Sequence, residues 1–298
     1  MNADAPSPIT LPSALARQTR FVRLAADATG RPGIPALLAH PDWSTPCPTV
    51  IWLHGRTVSK ELDNGRYLRF LRAGIATCAI DLPGHGERFD PAFHTRAATL
   101  DLVALGVAEI DRIVAALAER AFAGVFDASR LALGGMSAGG MITLRRLCDP
   151  HPFRCACIEG AAGNLEMLFS GSALPPHARP ERIHTPERVA PLDPIRHLAT
   201  WRPIPLLALH SEADEIVPLA CITTFADALR AHYAALGLGD SPGSGEGVDG
   251  GSVPSSAAAP PVVLHTWPTT GAPREHNGFG RVAAEAKTIQ LAFLQQHL

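Results

Sequence analysis

LALGGMSAGGMITLRR, residues 131–146, is the stretch on which the reading of this chain turns. One serine, Ser137, stands among glycines and an alanine, between two apolar runs. A flexible linker is not flanked in this way. A sharp turn between a strand and a helix is, because crowded backbone there excludes side chains and favours glycine. Gly135-Met136-Ser137-Ala138-Gly139 reads G-x-S-x-G, with the strand-like RLALGG (130–135) before it and the helix-like AGGMITLRRLC after it. That context predicts a nucleophile elbow, in which a strained serine at a strand end points its hydroxyl into a crevice at a helix N-terminus. The bland alternative is a glycine-rich turn around a buried serine, and the strand–helix context makes it the poorer reading.

Outward from this turn, short apolar runs recur at FVRLAA (21–26), PALLAHP (35–41), TVIWLHG (49–55), GIATCAIDL (74–82), FRCACIEG (153–160), PLLALH (205–210) and VVLHTW (262–267). From the third onward, helical patterns separate them. LDNGRYLRFLRAG (62–74) is amphipathic, and ATLDLVALGVAEIDRIVAALAERA (98–121) repeats apolar residues at three- and four-residue spacing. PLACITTFADALRAHYAAL (218–236) opens on a proline suited to a first helical turn, and VAAEAKTIQLAFLQQHL closes the chain. Strands alternating with helices predict a mostly parallel sheet of eight strands, covered on both faces, with a site at the carboxyl ends where strand order reverses. The first two runs have no helix between them and predict an antiparallel edge hairpin.

Two stretches break the alternation. Residues 161–203 are proline-rich and carry LEMLF (165–169); they read equally as a cap over a pocket or as a long connection. Residues 237–261, GLGDSPGSGEGVDGGSVPSSAAAPP, have too few large apolar groups to pack and predict a disordered loop. The N-terminal MNADAPSPITLPSALARQTR reads as a loose arm with no signal peptide. No boundary between independent domains is visible, so residues 1–298 read as one domain.

Composition narrows the function classes. With 46% apolar and 18% charged residues, the chain describes a globular protein with a substantial core. No run approaches the roughly 18 apolar residues of a membrane helix. A net charge of −2 offers no footprint for nucleic acid. The six cysteines include no CxxC pair, and Cys155-Ala-Cys157 alternates as a strand does; they read as buried, reduced thiols of a cytoplasmic protein. The histidines lack HExxH spacing and no phosphate-cradling glycine loop occurs, so no metal or organic cofactor is implied.

A neutral serine needs an imidazole to take its proton and a carboxylate to orient that imidazole. In this kind of fold the chain order is Ser, acid, His. HSEADEIVP, after a late strand, offers Glu212, Asp214 and Glu215; Asp214, just before the next helix, is preferred and Glu212 is its main rival. The loop residue His276 is preferred as base over His265, which lies within the last strand. Two backbone N–H groups must receive the oxyanion: Ala138, after the nucleophile, and Arg56, after His54-Gly55. The Arg56 side chain reads as a solvated charge at a pocket rim rather than as a lure for acidic substrates. Met136, Leu165, Met167, Leu168, Phe169 and Trp201 could line an acyl pocket, with core packing the default for each.

Taken together, LHG (53–55), DLPGHGER (81–88), GMSAG (135–139), DPI (193–195), ALHSEADEIVP (208–218) and EHNGF (275–279) resemble the α/β-hydrolase family, specifically its dienelactone-hydrolase-like and prolyl-oligopeptidase-like branch. The resemblance spans residues 50 to 280 in the family's order. It implies a Ser137–Asp214–His276 triad, with Arg56 and Ala138 as oxyanion donors and structural roles for Asp81 and His85. There are departures from the pattern. Dienelactone hydrolases proper use cysteine where this chain has Ser137, relatives read His-Gly where it has His210-Ser211, and no propeller domain is expected. Three functions follow: hydrolysis of a small-molecule carboxylic ester through an acyl-enzyme, amide, short-peptide or thioester hydrolysis by the same residues, and a non-catalytic binding protein on this scaffold. No feature of the sequence reports the oligomeric state.

Overall fold

Ser137 sits at the centre of an eight-stranded sheet in the computed structural model of this protein, which describes residues 9–25, 30, 32–122, 124–179, 181–238 and 260–298. In chain order the elements are α1 (Ser13–Ala16), β1 (Thr19–Leu24), β2 (Ile34–Ala39), β3 (Cys47–Leu53), α2 (Asn64–Arg72), β4 (Ala76–Ile80), α3 (Thr99–Leu117) and β5 (Phe126–Met136). There follow α4 (Ala138–Leu147), β6 (Cys155–Glu159), α5 (Leu165–Ser170), α6 (Pro186–Val189), β7 (Leu206–Ser211), α7 (Ala220–Ala235), β8 (Val262–Trp267) and α8 (Ala283–His297). The strands lie in the order β1-β2-β4-β3-β5-β6-β7-β8. β1 and β2 form the expected antiparallel hairpin, and β2 also runs antiparallel to β4; the other pairings are parallel. Strand order reverses between β3 and β5, and Ser137 directly follows β5.

The central strands are buried on both sides, and their alternation feeds two cores. Ile51 and Leu53 of β3 face one with α3, α4 and α7; Val50 and Trp52 face the other with α1, α2 and α8. The same period splits Ala156 and Ile158 from Cys155 and Cys157 in β6, which is the alternation expected of that stretch. In α3 the apolar stripe Val103, Gly106, Ile110 and Ile113 is buried. A Cβ at Gly106 would lie 2.5 Å from Ile142 Cδ1, so the absence of a side chain sets how closely α3 approaches α4. All six cysteines are free and buried, and burial pushes the thiols up, Cys47 to about 11 and Cys155 to about 12. The native protein is therefore expected to give no fast reaction with an aromatic disulfide reagent, and six thiols after denaturation in guanidinium.

Part of the N-terminal segment departs from the loose arm expected. Leu15 of α1 is fully buried against the α2 side of the sheet, and Gln18 O accepts the Trp43 indole N–H at 3.1 Å. The stretch 161–203 forms short helices among its described residues. Its two ends are tied together because the Asp193 carboxylate accepts the N–H groups of Leu165 (2.7 Å) and Glu166 (3.2 Å). Leu165 and Trp201 are core, whereas Leu168 and Phe169 reach the site described below. The disordered loop expected at 237–261 falls almost wholly on residues 239–259, outside the described residues.

Candidate active site

Ser137 has φ 52° and ψ −116°, a conformation that non-glycine residues rarely adopt and that the surrounding contacts must enforce. Its N–H donates to Glu159 O at 2.8 Å, tying the turn to β6. The glycines around it are demanded by close approach. A Cβ at Gly139 would stand 2.2 Å from Leu53 O, and one at Gly135 would stand 2.6 Å from the Gly139 carbonyl carbon. Both obstacles are backbone, which cannot step aside. The small residues are thus what lets β5 turn into α4 against the end of β3.

Ser137 Oγ donates to His276 Nε2 at 2.9 Å, and His276 Nδ1 donates to Asp214 Oδ2 at 2.7 Å. The acceptor-only carboxylate fixes the proton on Nδ1 and leaves Nε2 to receive the hydroxyl proton. Asp214 is held by its own turn: Oδ1 accepts the N–H groups of Ile216 (2.8 Å) and Val217 (2.7 Å). His210 Nε2 donates to Val217 O at 2.8 Å and braces the same turn from β7. The rivals lie elsewhere. Glu212 is exposed and accepts from Thr266 Oγ1 at 2.8 Å, Glu215 pairs with Arg274, and the His265 ring packs edge-on to Trp267.

Arg56 and Ala138 flank the serine. Gly55, at the end of the β3 segment, would put a Cβ 3.5 Å from Ser137 Cβ, and Arg56 follows it. Among the described residues, neither the Arg56 nor the Ala138 N–H donates to a backbone acceptor. Nearby, His54 Nδ1 donates to Gly55 O at 2.6 Å while Nε2 accepts the Leu82 N–H at 3.0 Å, which locks the ends of β3 and β4 together. Asp81 and His85 are fully buried; Asp81 accepts from the Lys60 N–H and Nζ and from the Glu87 N–H, and His85 Nδ1 donates to Pro83 O at 2.8 Å. The Arg56 side chain differs from the solvated charge expected. It is half-buried in the cavity wall and donates to His94 O at 2.9 Å.

A cavity of about 440 Å³ opens beside Ser137. Met141, Leu168, Phe169, Leu174, Ile216 and Val217 supply its apolar wall, and Arg56, Arg96, Glu215 and Arg274 its charges. Among the described residues, no group of three or more His, Cys, Asp or Glu is arranged to hold a metal ion.

Sequence reasoning missed two parts of the site. Gly160, with φ +52°, passes under the imidazole: a Cβ there would lie 3.4 Å from His276 Nδ1 and 3.7 Å from Asp214 Oδ2. The glycine ending FRCACIEG was its only signal. The second is the carboxylate of Glu275, which accepts the N–H groups of Thr270 and Gly271, the Thr270 hydroxyl (2.8 Å) and the Ser211 hydroxyl (2.9 Å). The Ser211 hydroxymethyl thus reaches across to the residue beside His276. These bonds, the Thr270 N–H first, hold the Glu275 carboxyl down at about 2 from its ordinary 4.5. A depressed carboxyl stabilises the fold above its unfolded-state value and loses that contribution as pH falls through the folded one. The melting-temperature gap between wild type and Glu275→Gln should therefore be full above about pH 5 and shrink between 4.5 and 2, read by thermal unfolding across that range. A gap constant with pH would contradict it.

With this geometry in view, relatives can be placed. A model of the prolyl oligopeptidase family matches residues 65–249, more than half of the chain. The chain belongs to the prolyl oligopeptidase family. The family's members are serine hydrolases, and the matched segment holds Ser137 and Asp214, with His276 beyond it. Esterase YjfP of Escherichia coli (strain K12) is 30% identical over 193 residues, covering 62% of this chain and 76% of that protein. TT1662 from Thermus thermophilus superposes with a TM-score of 0.60 at 23% identity, over 93% of this chain and 97% of that one. The acylaminoacyl peptidase of Pyrococcus horikoshii gives 0.66 at 14% identity, over 94% of this chain and 41% of the peptidase. These structural likenesses establish the α/β-hydrolase fold.

Proposed function

We propose that this serine hydrolase cleaves carboxylic esters through an acyl-enzyme, with Ser137 as nucleophile, His276 as general base and acid, and Asp214 as orienting carboxylate. The observation that carries the reading is the continuous hydrogen-bonded chain Ser137–His276–Asp214, at 2.9 and 2.7 Å, at the edge of a 440 Å³ cavity. Ser137 Oγ attacks the ester carbonyl as its proton passes to His276 Nε2. The developing oxyanion is received by the N–H groups of Arg56 and Ala138, each worth on the order of 10²–10³ in rate. His276 then protonates the leaving alkoxide and activates water for deacylation. The esterase relative favours an oxygen leaving group. The six buried, free thiols fit a reducing compartment, for which we take the cytoplasm.

The test has two arms. A fluorophosphonate probe should label Ser137 and no other residue, located by peptide mass spectrometry. Matched 4-nitrophenyl ester, anilide and thioester substrates should then be turned over with the ester fastest. Labelling without turnover of any of the three would reject ester hydrolysis, and absence of labelling would point to a binding protein on this scaffold.

A further inference from the structure

The cavity beside Ser137 carries more positive charge than its own carboxylate neutralises. Four charged side chains line it, Arg56, Arg96, Arg274 and Glu215. Glu215 and Arg274 pair with each other at 3.6 Å, both at the exposed rim. Arg56 and Arg96 remain. Each is half-buried, and among the described residues neither has a carboxylate within 4 Å. Their contacts are to neutral backbone: Arg56 Nη1 to His94 O at 2.9 Å, and Arg96 Nη2 to Leu168 O at 3.5 Å. Two half-buried like charges lining one cavity repel each other and lose hydration, a cost that an anion between them would offset. Desolvation first, and then the Arg96 charge, pull the Arg56 guanidinium below its ordinary value. Other half-buried or buried cations of this protein do meet carboxylates, as Arg88 meets Glu109 (2.6 Å) and Lys60 meets Asp81 (2.8 Å), whereas Arg69 and Arg112, like Arg56 and Arg96, bond to neutral groups. Much of the remaining lining is apolar, with Leu168, Phe169 and Ile216.

We propose that the substrates of this site are amphiphilic esters that carry one carboxylate a few bonds from the scissile carbonyl, and that Arg56 and Arg96 receive it. The inference rests on the ester reading above and names the substrate class for it. Arg56 then serves the substrate twice, by its N–H at the oxyanion and by its side chain at the distal anion. An arginine–carboxylate contact is a charge-assisted, geometrically specific bond, stronger than the neutral contact of an alkyl end.

The test compares charged and neutral esters matched in length. 4-Nitrophenyl hydrogen adipate against 4-nitrophenyl hexanoate puts the carboxylate on the acyl side. 4-Butanoyloxybenzoate against its methyl ester puts it on the leaving group. In at least one pair, kcat/KM for the charged ester should exceed that for the neutral one by about tenfold or more. The ratio should fall toward one in Arg96→Gln and in Arg56→Gln, be largely kept in Arg96→Lys, and drop below one in Arg96→Glu. A ratio cancels any loss common to both esters. Should a variant fail to fold, added salt on the wild type decides, because it should lower the ratio by screening. Ratios at or below one in both pairs, or a ratio indifferent to the glutamine variants and to salt, would overturn the proposal. If the wild type turns over no ester, calorimetric titration of Ser137→Ala with the same compounds separates the two claims. Binding confined to the charged members and weakened in the added Arg96→Gln background keeps the anion site while ester hydrolysis falls. Equal or absent binding of all four overturns it.

Discussion

Replacing Ser137 by alanine is expected to lower kcat for an activated ester by on the order of 10⁴-fold or more, with the fold unchanged. The reason for the large loss is that nothing else in the site can take the nucleophile's place. The six thiols are buried, and the described hydrogen bond to His276 Nε2 comes from Ser137 Oγ alone. The reason for the intact fold is that the backbone pays no new cost. Serine and alanine are equally strained at φ 52°, and the Ser137 N–H still donates to Glu159 O. Residual turnover would come from the oxyanion donors and the cavity. Asp214→Asn makes a sharper comparison. Its amide cannot accept from His276 Nδ1 in the same way on the nitrogen side, and it favours the tautomer with the proton on Nε2, where it faces the serine hydroxyl. A loss on the order of 10⁴-fold is expected there too. Asp214 Oδ1 also accepts the Ile216 and Val217 amides, and the variant replaces that charged acceptor by a weaker neutral one, so it should lose some thermal stability where Ser137→Ala does not. Steady-state kinetics with circular dichroism on both variants check this. Wild-type turnover in Ser137→Ala would remove the serine from the mechanism.

How far the sequence could be read depended on whether a feature is local. The serine turn was legible because its requirement is local: glycines at 135 and 139 are needed where backbone passes within 2.7 Å of where a Cβ would be. β8 lies at residues 262–267 as read, because its apolar run is short and bounded by prolines. β5, Phe126–Met136, extends beyond the apolar run at 130–135: FDAS is mostly polar and carries no strand pattern of its own, and pairing with β3 adds it to the strand. Leu15 looks like part of a loose arm in sequence because Pro12 and Ser13 dominate its neighbourhood, and the distant α2 and α8 give it a core to enter. The Ser211–Glu275 bond joins residues 64 apart, and no pattern within either stretch foreshadows it. The same holds for the two arginines of the cavity. Arg56 and Arg96 look like ordinary surface charges until the fold brings them to one cavity.

The buried pair Arg66–Glu159 carries the other large expected effect, on stability. Glu159 ends β6 and Arg66 opens α2, and both are almost fully buried. The guanidinium meets the carboxylate through two bonds, Nη1–Oε1 at 2.6 Å and Nη2–Oε2 at 2.7 Å. Burial pushes the Glu159 carboxyl up from its ordinary value, and the always-charged guanidinium opposes that shift. Arg66 also stacks over the Trp52 ring at 4.1 Å and donates to Gln290 Oε1, so its head group cannot swing out to water without breaking both contacts. Glu159→Leu leaves this cation buried. Removing one partner of such a pair typically costs about 3–5 kcal/mol. Asp63, at 3.5 Å, retains part of the compensation, which places the expected loss near the lower end, about 3 kcal/mol. Arg66→Met combined with Glu159→Leu removes both charges and should recover most of that loss, because apolar replacement of a whole buried pair is often neutral. Urea unfolding of the two single variants and the double variant reads the difference directly. A single Glu159→Leu cost below about 1 kcal/mol would mean that Asp63 alone satisfies Arg66, and the pair would then be an incidental contact under the serine turn rather than what anchors the end of β6 beneath it.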